Sequence, residues 1–204
     1  SQMLSEKYKG KSYSPYASRD FPNEVLWGDS HLHTGISFDA GTAGATLLPE
    51  DAYRFASGEE VVSSYGIPVK LSRPLDWLAV TDHTDNMGFI IDLAAGKPEI
   101  LATPQGADWH NRLNTASKDE KPQIAYDIIK ALMVTKTFPQ EIYYGPDTHG
   151  YKATWERIVK AAERNNAPGR FTALIGFEWT STLEGNNLHR NVLYRDGGDK
   201  ALQV

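Results

Sequence analysis

The sequence predicts an α/β fold, a mainly parallel sheet covered by helices. Three observations carry this. Strand-like and helical segments follow the order strand, helix, strand, helices, strand, strand. The strand-like segments are continuous apolar runs instead of alternating ones, the pattern of strands buried on both faces. The 204 residues, 40% hydrophobic and 11% aromatic, suffice for one domain with a sizeable core.

Residues 1–22 are polar, rich in Ser, Tyr and Lys, with Pro15 and Pro22, and are expected to form an extended surface arm. The domain proper is expected over 23–204. Val25-Leu26-Trp27 leads into Gly28-Asp29-Ser30-His31 and reads as a short buried strand ending in a polar loop. Residues 35–48, rich in Gly, Ala and Thr, read as loop. Pro49-Glu50-Asp51 makes a good first helical turn, since proline fits the first position and acids complement the dipole. A helix over 49–64 follows, interrupted by Gly58. Leu75 to Val80 is the clearest strand and ends in Thr81-Asp82-His83. Residues 86–95 read as helix and 97–106, with Pro98, Pro104 and Gly106, as loop. Helices are expected over 107–117 and 122–136; in the second, Ile124, Ile128, Ile129 and Leu132 recur at helical spacing. After a loop around Pro139 to Gly150, a helix over 151–165 places Trp155, Ile158, Val159 and Ala162 on one face. Asn165 to Gly169 stops it. Phe171 to Phe177 is a second strong strand, ending in Glu178-Trp179, and a last strand runs through 191–194.

Composition removes several function classes. A net charge of −5 and a pI near 5.7 offer no electrostatic reason for nucleic-acid binding. The absence of cysteine excludes disulfides, thiolate metal sites and cysteine nucleophiles. No apolar run is long enough to span a bilayer. Ser1-Gln2-Met3 does not read as a signal peptide; a cytoplasmic protein and a periplasmic or secreted one after signal removal both remain open. Gly41 to Thr46 lacks the Gly-Lys-Ser/Thr ending of a phosphate loop, and no Gly-x-Ser-x-Gly elbow occurs.

The candidate chemistry lies at strand ends. Three apolar strands run into metal-type ligands: His31 and His33, then Asp82 and His83, then Glu178. In α/β folds the loops after the carboxyl ends of parallel strands form the site. On extended chain His31 and His33 share a face and Leu32 points the other way, into the apolar layer. Asp29 is placed to orient an imidazole. On its own Asp39 reads as a turn or cap residue, and Asp85 as a solvated loop residue or cap. Glu178, between Phe177 and Trp179, is a costly carboxylate unless paired or bound to a cation; Arg190 or backbone donors are the alternative partners. His189 otherwise reads as a half-buried histidine beside Arg190. His110 and His149 have no patterned partner.

Taken together, His31-x-His33, Asp39, Thr81-Asp82-His83 and Phe177-Glu178 followed by His189 resemble the polymerase-and-histidinol-phosphatase (PHP) superfamily. The strings Trp-Gly-Asp-Ser-His-Leu-His-Thr, Leu-Ala-Val-Thr-Asp-His-Thr-Asp and Gly-Phe-Glu-Trp-Thr-Ser are most similar to its uncharacterised DUF3604 branch. The resemblance covers about residues 24–195. It implies a distorted (β/α)7 barrel with two or three divalent ions and, in most members, phosphoesterase activity. By matching position, His31 and His33 are expected to bind the first ion, Asp39 and His83 neighbouring ions, and Glu178 to bridge; His189 matches the next histidine. The pattern also needs a later histidine and an Asp-x-His pair. No histidine follows His189, and about four strands are visible where the barrel has seven. The chain is therefore expected to be the front portion of a longer protein.

The resulting expectation is hydrolysis by a metal-bound hydroxide on a small-molecule substrate such as a phosphoester, at a site of Zn, Mn or Fe. Asp82 is the candidate to orient His83 or accept a proton, and Arg190 the nearby cation for a phosphate. Two other readings stand beside it. One is a metal-dependent amidohydrolase cleaving a C–N bond; the other is a non-catalytic or degenerate metal-binding domain.

Overall fold

In a computed structural model, residues 24–117, 119–181 and 187–203 are described. The expected arm over 1–22 lies outside them. The chain is mixed α/β. A three-stranded parallel sheet has the order β1 (Gly28–Leu32), β4 (Trp77–Val80), β5 (Thr172–Leu174). β2 (Val61–Val62) and β3 (Pro68–Val69) form a small antiparallel ribbon. β6 (Gly176–Ser181) and β7 (Leu188–Leu193) form an antiparallel hairpin. The hairpin joins the parallel sheet through a parallel bridge between His83 and Glu178. Among the described residues the sheet does not close into a barrel.

β4 is central because its side chains are apolar on both faces: Leu78, Ala79 and Val80 are fully buried. The helices covering this sheet include α2 (Pro49–Ala56) and α7 (His149–Asn165). Trp155, Ile158, Val159 and Ala162 of α7 are buried together, as their spacing predicts. Tyr53 of α2, wholly buried, donates its hydroxyl to the Leu174 carbonyl at 2.9 Å and so ties α2 to β5. A second cluster joins α1 (Phe38–Thr42), α3 (Phe89–Ala95), α4 (Pro98–Leu101), α5 (Pro104–Thr115) and α6 (Lys121–Ile129) around Phe89, Trp109 and Phe138. A four-residue helix, α8 (Gly198–Ala201), closes the chain's packing on α7 through Trp155, whose indole N–H donates to the Ala201 carbonyl. Gly88, at φ +83°, lets α3 begin against α7; a Cβ there would lie 2.2 Å from the Thr154 hydroxyl.

Several expectations change in detail. Val25, Leu26 and Trp27 are exposed and not in a strand. The strand starts at Gly28, where the Trp77 ring fills the space that any Cβ would occupy. The motif residues Gly28 to Leu32 are thus the strand itself, not the loop after it. The stretch 35–48 contains α1. The helix from Pro49 ends at Ala56, because Gly58 takes φ +94° and turns the chain into β2. The stretch 97–106 holds α4 and the start of α5, each opened by a proline. The helix expected to 136 gives way after Ile129 to a π-helical turn over Lys130–Val134. The run Phe171 to Phe177 splits at Ile175, and Glu178 lies within β6 instead of beyond a strand end. The last strand starts at Leu188 and pairs antiparallel with β6, so the parallel arrangement holds for β1, β4 and β5. No helix of the described residues is long and apolar enough to cross a membrane.

Leu78 is the probe of this core. Leu78→Ala is expected to cost about 2–5 kcal/mol, because a fully buried side chain is replaced by a cavity. Chemical denaturation checks it through the transition midpoint.

Candidate metal centre

Four segments bring their polar side chains to one rim. β1 presents His31 and, just past its end, His33. α1 presents Asp39 from its first turn. The chain leaving β4 presents Asp82 and His83. The β6–β7 hairpin presents Glu178, Thr180 and His189 on one face, since alternate residues of a strand and their cross-strand partners point the same way.

Glu178 is the hub. Its carboxylate is 1% exposed. Oε2 lies 2.7 Å from His33 Nε2, 3.2 Å from His31 Nε2 and 3.8 Å from His83 Nε2. Oε1 lies 2.8 Å from His189 Nδ1. The four imidazoles follow one another in a row, with centroid separations of 5.1 Å (His31–His33), 4.7 Å (His33–His83) and 5.2 Å (His83–His189). The β6 backbone is held to the loop that carries His83: Glu178 N–H donates to the Asp82 carbonyl, and Thr84 N–H donates to the Glu178 carbonyl. Asn191 donates to the Ser30 carbonyl at 2.7 Å and docks the hairpin on β1.

Asp39 faces the other side of His33 and approaches the His83 nitrogen that also faces Glu178. Its oxygens lie 3.1 and 3.2 Å from His33 Nδ1, and Oδ2 lies 3.7 Å from His83 Nε2. Ser37 organises this corner. Its hydroxyl donates to Asp39 at 2.7 Å and accepts from the His83 backbone N–H at 3.1 Å. Burial pushes the Asp39 carboxyl up, but hydrogen bonds from His33 and Ser37 outweigh it and hold the group well below the usual carboxylate range. Burial pulls His33 down; the hydrogen bond and charge of Asp39, with the charges of Glu178 and Asp82, outweigh that and raise it. In His83 burial prevails and the imidazole is lowered, against the pull of Asp39 and Glu178.

His33 Nε2 is buried and lacks an aligned hydrogen-bond partner although it sits 2.7 Å from the Glu178 oxygen. With Nδ1–H spent on Asp39, this contact sets a nitrogen lone pair against a carboxylate oxygen. Such a contact becomes favourable when the two atoms share a cation or when His33 takes up a second proton, which its raised pKa favours. Three overlapping groups have the composition and spacing to hold a metal ion, each with ligand atoms within 4.8 Å of one another: His31, His33 and Glu178; His33, Asp39 and His83; His83, Glu178 and His189.

The remaining sequence candidates lie elsewhere. Asp82 does not orient His83. It is buried, and its oxygens accept from Thr34 N–H at 2.5 Å and the Thr34 hydroxyl at 2.7 Å, tying the end of β4 to the end of β1. Arg190 does not pair with Glu178. It sits opposite Trp179 on the other face of the hairpin, its guanidinium 5.7 Å from the Trp179 ring centroid. Asp29 accepts from the His31 backbone N–H and not from an imidazole. His110 Nδ1 lies 2.6 Å from the Leu93 carbonyl at the end of α3, away from the rim, and His149 opens α7. Asp85 is not a solvated cap. Burial raises its carboxyl, against the charge of His83, the polar Thr180 side chain and the charge of His189. Ser37, Thr34 and Thr180 carry no ligand signature; only Thr180 was accessible to pattern reading, two residues from Glu178 and so on its face.

Asp82 gives a pH test on metal-free protein. Burial pushes its carboxyl up to about 6 despite the two bonds from Thr34. A folded-state value above the unfolded one means that its contribution is fully present below about pH 4 and is lost as pH rises through about 6. The stability difference between Asp82→Asn and the parent is expected to move in favour of the variant by on the order of 1–3 kcal/mol across that window. Denaturation at stepped pH reads it.

No curated protein and no solved structure matches this chain. One family model, described as "Protein of unknown function (DUF3604)", matches residues 20–204 and thereby spans every residue of the rim. The chain belongs to the DUF3604 family.

Proposed function

We propose that this domain is a metal-dependent hydrolase of the PHP type, acting on a phosphoester at a di- or trinuclear centre of Zn, Mn or Fe. The observation that carries the reading is the buried contact between His33 Nε2 and Glu178 Oε2, which a shared cation would satisfy, with His31 Nε2 converging on the same oxygen. The donor set fits. Imidazole nitrogens and carboxylate oxygens without thiolate suit these ions, and Glu178 has one oxygen toward His31 and His33 and the other toward His189. His31, His33 and Glu178 would hold one ion, His33, Asp39 and His83 a second, and Glu178 would be shared with a third beside His83 and His189. Ions held there lower the pKa of bound water and neutralise charge on the oxygens of an ester. The order of the motifs along the chain supports a distorted (β/α)7 barrel for the complete domain.

The chain's own residues supply position. Ser37 fixes Asp39 against His33, and Asp82 locks the ends of β1 and β4 so that His33 and His83 stay in register. Asp82, bonded twice to Thr34, acts as a tether. One observation favours a second reading, cleavage of a C–N bond. Among the described residues no lysine or arginine pairs with Glu178 or Asp39, and Arg190 faces Trp179, so a phosphate would find no side-chain cation from this set.

Elemental analysis and titration with Mn or Zn are expected to show bound divalent ion. His33→Ala and Glu178→Gln should lose that binding and reduce hydrolysis of a generic aryl phosphoester by more than about a hundredfold, beyond what outer-shell changes produce. A matched anilide substrate separates the C–N reading. Parent protein that binds no divalent ion, with His33→Ala indistinguishable from it, would refute the proposal.

A further inference from the structure

Ser37 is wholly buried and stands at the residue before α1. A serine there ordinarily caps its helix, its side-chain oxygen accepting from a free N–H of the first turn. Ser37 makes no such bond. The N–H of Ala40, the third residue of α1, goes to Asp39 Oδ1 instead. The Ser37 hydroxyl turns to the rim. It donates to Asp39 Oδ1 at 2.7 Å, accepts from the His83 backbone N–H at 3.1 Å and lies 3.1 Å from His33 Nδ1. A hydroxyl has one proton to donate and two lone pairs to accept with. The carboxylate only accepts, so it takes the proton; the His83 N–H only donates, so it takes one lone pair. The other lone pair faces His33 Nδ1. One buried hydroxyl thus spends its whole hydrogen-bonding capacity on His33, Asp39 and His83. These three residues form one of the groups with the composition and spacing to hold a metal ion.

We propose that Ser37 is a positioning residue for the ion that His33, Asp39 and His83 would hold, and that its hydroxyl serves this group in place of capping α1. The consequence for metal binding rests on the hydrolase reading; the hydrogen-bond set does not. Asp39 and His83 come from separate segments, and their own side chains approach only to 3.7 Å, beyond hydrogen-bond reach. Ser37 supplies the hydrogen-bonded link between them. The Asp39 side chain is 51% exposed, so packing alone does not hold its carboxylate in place. Without the hydroxyl that carboxylate keeps the Ala40 N–H and the His33 ring but loses its tie to the chain that carries His83. Outer-shell partners of this kind orient ligands and tune their affinity for metal.

Proton NMR of the metal-free wild type tests the bond set directly. The Ser37 hydroxyl proton is expected as a slowly exchanging resonance with a cross-peak to the His83 amide proton. A hydroxyl in rapid exchange with solvent overturns the proposal, and that measurement needs no variant to fold. In Ser37→Ala the His83 amide hydrogen should exchange faster by roughly two- to tenfold, the loss of one hydrogen bond. Mn or Zn affinity should fall about ten- to a hundredfold in Ser37→Ala and recover in Ser37→Thr, which returns the hydroxyl. A cap would behave differently. Ser37→Ala that lowers stability yet holds Mn or Zn as the parent does overturns the proposal. Failure of the wild type to bind any ion would overturn the hydrolase reading instead, and would leave the hydroxyl and amide results standing.

Discussion

The carboxylate of Glu178, buried and ringed by four imidazoles, is the constraint on which the rest of the rim depends. A carboxylate out of water needs partners that restore what hydration supplied. Here those partners come from β1, the end of β4 and β7, so a single group ties together three separately folded pieces of chain. The backbone repeats the connection, because the β6 strand reaches the β4 segment only through the bonds that flank Glu178. Geometry and electrostatics thus converge on one residue.

A second layer makes that arrangement rigid. Ser37, Thr34, Asp82 and Thr180 present no atom of their own to the shared oxygen; they hold the segments and side chains around it. Asp82 and Thr34 lock β1 to β4. Ser37 links Asp39 to the backbone of His83. Thr180 spans His83 and His189. His33 and His83 are each held at Nδ1 while Nε2 faces Glu178, an arrangement that orients these rings without leaving the rotamer to chance.

On the reverse face of the hairpin lies a different environment. Phe177 packs against Trp155 and Tyr194, and Trp179 stands opposite Arg190. This face walls a cleft of about 620 Å³ in which Asp85 and Thr84 also take part. Asp85 therefore belongs to both sides of β6: it faces the cleft and feels the charges of His83 and His189. One strand separates an aromatic layer from a histidine layer because its side chains alternate.

That alternation explains how far the sequence could be read. Leu75 to Val80 and the α7 stripe of Trp155, Ile158, Val159 and Ala162 were legible because period and apolarity are local properties. The convergence of His31, His33, His83 and Glu178 was legible as motifs carried by successive strands. Strand limits were less so. Val25 to Trp27 is apolar yet exposed, and β1 starts only at Gly28, where the Trp77 ring leaves no room for a Cβ. The roles of Asp82, Asp85 and Arg190 were not legible, since each depends on a partner 48, 95 or 11 residues away that only folding brings near. The sequence alone determined the candidate ligand types and their order along the chain. Tertiary structure decided which atoms face one another, because contact between distant segments is set by register and packing and not by spacing along the chain.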